Sequence, residues 1–159
     1  MRYFDTHTDD PSDPSWHQPD PHHQADFYAD VPLKRLLAFL VDTLLMLLLA
    51  VVIVILTLGI AAIFIVPVWW MLNFAYRTIT LANGSATPGM RLFAIEFRNA
   101  RGARFDQSDA FLHTLGFMLS FTFFPVQLVS MILMATSARG QGLSDHVLGT
   151  VAINRRAAG

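Results

Sequence analysis

The residues of this chain whose types could do chemistry are a lone carboxylate and an arginine inside an apolar run. Asp42 is followed by no other charged residue until Arg77, and Arg35 stands seven positions before it, in the stretch Leu33 to Leu49. A carboxylate in hydrocarbon is unfavourable by about 2.5 to 3.5 kcal/mol on insertion scales, so it persists where something on the protein uses or neutralises it. A spacing of seven puts both groups on one helical face, roughly 10 Å apart along the axis. They can share a site without touching. In such a site Asp42 would bind a cation or carry a proton, with Arg35 tuning its affinity.

The element that must position this pair is a membrane helix. The 159 residues are 53% hydrophobic and only 14% charged, too apolar for a soluble domain of this size. Seven of the twelve acidic residues fall within residues 1–30, where Arg2 is the sole Lys or Arg, leaving ten basic and five acidic residues in the rest of the chain. That basic remainder suits loops facing an anionic cytoplasmic leaflet. The absence of cysteine excludes disulfides, thiolate metal sites and cysteine nucleophiles. The first residues lack a basic segment followed by an apolar core, so the first apolar helix is expected to direct insertion itself.

Residues 1–30 read as a disordered cytoplasmic tail rich in Asp, His and Pro. His7, His17, His22 and His23 match no defined metal spacing, so no metal site is expected. The apolar stretch from Val31 to Tyr76 accommodates two crossings at about 20 residues each. Helices are expected over 33–56 and 60–77, with the turn at Gly59 and a possible kink at Pro67. Trp69, Trp70 and Tyr76 read as interfacial or packing aromatics. Residues 78–108 form a loop bearing Arg91, Arg98, Arg101 and Arg104, cytoplasmic by the positive-inside rule. Within it, residues 91–98 and 103–105 suggest a small hairpin around the turn at 99–102, and 149–154 could add a third strand. The segment 110–138 reads as one long span or as a hairpin broken near Pro125. The arginines after it favour the broken hairpin, which returns the chain to the cytoplasmic side.

Two further elements stand out: the turn Gly84-Ser-Ala-Thr-Pro-Gly-Met-Arg-Leu92, and Gly142-Leu-Ser-Asp-His146 before a strand-like end. With the first helix, in this order, they resemble the RDD family of bacterial membrane proteins, named for an arginine and two aspartates. The resemblance covers about residues 28–155. It implies that Arg35 is the family arginine, Asp42 the first aspartate and Asp145 the second. It also implies that Thr87, Pro88, Gly89 and Arg91 form the signature turn, with Met90 standing where lysine is usual. A bacterial inner-membrane location follows from the same resemblance.

The fold class expected is an all-α membrane protein, with three to four transmembrane or re-entrant helices and a small cytoplasmic β-hairpin or three-stranded element. The RDD-like membrane domain covers residues 31–156 and the amino terminus is cytoplasmic. Two functions fit. One is transport of an ion or small solute through the Arg35, Asp42 and Asp145 cluster; with so few helices, a copy would need a second copy or another membrane protein to enclose a path. The other is a membrane scaffold or assembly partner in which the trio is a buried ion network, holding the first helix to the cytoplasmic elements. His146 beside Asp145, and His113, read as histidines with local hydrogen bonds. No zincin, nucleophile-elbow or phosphate-loop pattern occurs, so neither an enzyme nor a cofactor is expected. The loop arginines are expected to meet lipid phosphates and not nucleic acid.

Overall fold

A computed structural model describes residues 18–155. Helix α1 covers Val31–Leu56, 26 residues, or about 39 Å of rise, more than the roughly 30 Å hydrocarbon core of a bilayer. Its outward positions carry Leu33, Leu36, Leu40, Leu44, Leu47 and Leu48, all exposed, whereas the side turned to protein holds Ala38, Asp42, Met46 and Ala50. Large apolar groups outside and small ones inside is the arrangement of a helix solvated by lipid. Among the described residues, α1 with the turn before it (Ala25–Leu56) is the one helix both long and apolar enough to cross a membrane, with a window of mean hydropathy 3.0.

Thr57-Leu-Gly59 turns the chain as expected, with Gly59 at φ +88°, a conformation that favours glycine. The second helix arrives in two pieces, α2 (Ile60–Ile63) and α3 (Ile65–Gly84). A proline ring clashes with the carbonyl four residues back. For Pro67 that residue is Ile63, where α2 ends, so the expected kink is a break at Phe64. α3 also runs seven residues past the expected end at 77.

The loop differs more from expectation. Pro88–Leu92 is a short helix, α4, capped by Thr87, so residues 91 and 92 are helical and not extended. Strand β1 is Ile95–Arg98, and 103–105 form no strand. The turn at 99–102 is present, with the Gly102 N–H donating to the Asn99 carbonyl at 2.9 Å, but it leads into α5 (Gln107–Thr122) and not into a return strand. The partner of β1 is β2 (Val151–Asn154), antiparallel, with Ile95 opposite Asn154 and Arg98 opposite Val151. The sheet therefore has two strands, and the segment expected to be third is the second.

The break expected near Pro125 lies at Phe123, between α5 and α6 (Phe124–Thr136), where the axis bends by 118°. Proline fits the first turn of α6, where its missing N–H has no partner to lose. At 16 and 13 residues, about 24 and 20 Å, neither helix alone spans the hydrocarbon core. α7 (Leu143–Leu148) then leads into β2.

The buried core gathers at one end, where Val31, Ala38, Leu81, Met90, Ile95, Phe97, Phe105 and Ala152 pack together. There the sheet, α4 and α7 cap the end of the helices. The tail expectation holds two cases. Residues 1–17 lie outside the described residues, but 18–30 pack on this cap: Tyr28 joins Val151 and Ile153, and the Gln18 amide donates to the Asn99 and Gly149 carbonyls at 3.0 and 2.7 Å. Around Glu96, buried in β1, Arg98 donates a short hydrogen bond, with Arg155 at 3.2 Å and Arg104 at 3.7 Å. Three basic residues of the cap are thus drawn to one carboxylate.

Candidate functional site

Asp42 lies about three turns into α1, buried, and both its oxygens are taken by donors from other elements. The Tyr76 hydroxyl on α3 donates to Oδ1 at 2.6 Å, and the Gly89 N–H to the same oxygen at 2.8 Å. The Thr87 hydroxyl donates to Oδ2 at 2.5 Å and accepts from the Met90 N–H at 3.3 Å. The signature turn is therefore built to receive this carboxylate. Thr87 caps α4 and bonds Asp42; Pro88 occupies the first helical position, where its fixed φ suits the helix; Gly89 allows contact. A Cβ on Gly89 would stand 2.4 Å from the Ala38 carbonyl oxygen and 2.8 Å from Asp42 Oδ1. Only a residue without a side chain lets α4 meet α1 this closely. Met90, where the resemblance implies lysine, is buried in the core. Arg91 is exposed, turned away toward Gly84, and its Nε donates to the Ala86 carbonyl at 3.3 Å.

Asp145 holds a separate network. Its Oδ2 accepts from Arg35 at 2.5 Å and from the Gly142 N–H at 2.9 Å. Its Oδ1 is bonded by His113 Nε2 at 2.8 Å and by the Thr150 hydroxyl at 2.9 Å. Arg35 also donates to the Gly140 carbonyl at 3.1 Å, tying α1 to the loop before α7. Burial opposes the charge on Asp145, but the Arg35 guanidinium and the His113 hydrogen bond prevail and hold its carboxyl well below the usual carboxylate range. The relevant histidine is His113 and not the adjacent His146, whose Nδ1 contacts the Gly142 carbonyl at 2.9 Å. The bond of His113 is thus long-range, between α5 and α7, and not the local one expected.

Arg35, Asp42, Asp145, Thr87 and His113 all face one cavity of about 570 Å³ between α1 and the α5–α6 pair. The trio is brought to one cavity but split into two hydrogen-bonded groups. A further cation faces the same space. Arg77 on α3 lies with its guanidinium 3.9 Å from the Phe117 ring centroid, and its Nε is buried without a hydrogen-bond partner. Nδ1 of His113 is also buried and unpartnered. No group of three or more metal-ligating side chains occurs among the described residues. Of the tail histidines, His23 meets Asp20 at 2.6 Å, while His7 and His17 lie outside the described residues.

Sequence reasoning missed Tyr76, Arg77, His113 and Thr150. Tyr76 and Arg77 are adjacent polar residues closing an apolar run, a position that reads as the end of a helix rather than as part of a site. His113 follows the capping box of Asp106 and Asp109 by one to two turns, so its depth in the helix was available as a clue.

An apolar spanning helix, clamped by buried carboxylates to a small capped end, defines an integral membrane protein. The chain belongs to the RDD family, whose family model matches residues 30–149. No curated protein and no solved structure matches it.

Proposed function

We propose that this RDD protein is a multi-pass membrane scaffold or assembly partner in which Arg35, Asp42 and Asp145 are structural latches. The observation that carries this reading is the set of donors around Asp42. Tyr76, Thr87 and Gly89 point hydrogen at it, and the Gly89 N–H can only donate. A hard cation needs several oxygen ligands converging on it, and this carboxylate is ringed by hydrogens instead. The capped end, bearing Arg98, Arg101, Arg104, Arg139 and Arg155, faces the cytoplasm of a bacterial inner membrane under the positive-inside rule. The α5–α6 pair dips into the bilayer from that side and returns. The bilayer is its solvent, and a second copy or another membrane protein is the partner expected for its short helices.

The second reading, transport of an ion or small solute, is favoured by the cavity beside His113 and Arg77. Cation and proton flux in proteoliposomes separates the two. The scaffold reading expects no flux that depends on Asp42, and an Asp42→Asn protein recovered in lower yield. Wild-type flux lost in an equally folded and inserted Asp42→Asn protein would establish the transport reading in its place.

A further inference from the structure

The Arg77 guanidinium makes no hydrogen bond or ion pair with the described residues. The cation–π contact with Phe117, 3.9 Å from guanidinium to ring centroid, offsets only part of the cost of taking that charge out of water. The carboxylates facing the cavity do not close the gap by contact. Asp145 is in contact with Arg35, and Asp42 spends its oxygens on Tyr76, Thr87 and Gly89. Arg77 stands seven residues before the end of α3, about 10 Å below the capped end, near the boundary of headgroups and chains. Beside it the cavity wall is apolar, formed by Leu36, Phe39, Phe121, Phe124, Met131 and Met134. Several of these, Leu36, Phe121, Phe124 and Met131, are themselves exposed, so the cavity is open along this wall, and in a bilayer that opening would meet the surrounding chains.

A cation with no carboxylate in contact, at one end of a lateral apolar groove, is complementary to an amphiphile with an anionic head. We propose that the groove between α1 and the α5–α6 pair binds a phospholipid from the bilayer, with its phosphate on Arg77 and one acyl chain along the phenylalanine and methionine wall. The guanidinium would give the phosphate paired N–H donors, including the Nε that now has no partner. The proposal is independent of whether the trio is structural or couples transport.

The test uses the full chain in a phosphate-free detergent, titrated with phosphatidylglycerol, with digalactosyl diacylglycerol as the lipid lacking phosphate. Lipid retained is counted by native mass spectrometry, and thermal stability is followed in parallel. One phosphatidylglycerol should be retained per chain, with a saturable rise in Tm that the galactolipid does not produce. Arg77→Gln should weaken retention at least about tenfold, the loss of a charge-assisted hydrogen bond. Phe117→Leu, which removes the ring and keeps the cation, should preserve it. Equal retention of both lipids by the wild type would overturn the proposal, and this comparison stands even if Arg77→Gln fails to fold. So would unchanged retention in a folded Arg77→Gln protein. Protection by inorganic phosphate alone, matching that of the lipid, would make the site one for a soluble anion and overturn the assignment to lipid.

Discussion

Replacing Asp42 by asparagine removes one charge and exchanges one oxygen for an amide nitrogen, and the two readings of this residue give opposite signs. With its oxygen in the Oδ1 position, asparagine keeps the bonds from Tyr76 and Gly89, weakened by the loss of charge. Its NH₂ then faces the Thr87 hydroxyl, which loses its acceptor while still engaged with the Met90 N–H. One hydrogen bond to a charged group is worth about 1.5 to 3 kcal/mol, so the unfolding equilibrium constant should rise roughly ten- to a hundredfold. Asp42→Ala strands all three donors and should exceed about 4 kcal/mol. A bare carboxylate kept for transport would behave otherwise, since neutralising it relieves the cost of holding charge in hydrocarbon and should stabilise the protein. The assay is unfolding in mixed micelles with increasing sodium dodecyl sulfate, followed by the fluorescence of the tryptophans on α3. A double-mutant cycle with Thr87→Val should give a coupling of at least about 0.5 kcal/mol. An Asp42→Asn protein as stable as the wild type or more so, with no coupling to Thr87, would refute the latch.

Two further outcomes follow from the same geometry. Gly89→Ala drives a Cβ into the Ala38 carbonyl and the Asp42 carboxylate, so overpacking of about 1 to 3 kcal/mol adds to a disturbed hydrogen bond; a loss of about 2 kcal/mol or more is expected in the same unfolding assay. Asp145→Asn leaves the largely buried Arg35 guanidinium without its carboxylate, holding only the Gly140 carbonyl, and should destabilise by about 3 kcal/mol at neutral pH. Because the folded carboxyl titrates below its ordinary value of 3.8, the stability from its charge is complete above that value and is lost progressively as pH falls below it toward the lower folded value. The gap between wild type and Asp145→Asn should therefore narrow in acid below about pH 4, as measured by unfolding midpoints across a pH series.

The helices were legible because apolar runs and their punctuation act locally. Gly59 turns the chain where its flexibility suggests, and α1 ends within a residue of expectation. The break before Pro67 was misplaced because proline acts on the carbonyl four residues back. The hairpin in the loop was misassigned because β character in residues 91–105 says nothing about partners: β1 pairs with a strand more than fifty residues away, and the Thr87 cap starts a helix where extended residues were read. The structure brings the trio expected from the sequence to one cavity but divides it between two hydrogen-bonded groups. Spacing along α1 puts Arg35 and Asp42 on one face, while the donors that separate them come from α3, the signature turn and α5. No local pattern carries that information.

The pairing of β1 with β2 imposes an order on biogenesis. β1 is made before the α5–α6 pair and β2 after it, so on the topology proposed above the sheet closes only if the intervening helices enter the bilayer and come back to the side they left. A chain whose hairpin is stranded across the bilayer cannot join the two strands, leaves Glu96 without Arg155, and holds Asp145 away from Arg35. On that proposed topology the small sheet would serve as a checkpoint on insertion. Chains that fail it display an unpaired strand and a loose basic loop, the kind of exposed segment that quality-control proteases engage.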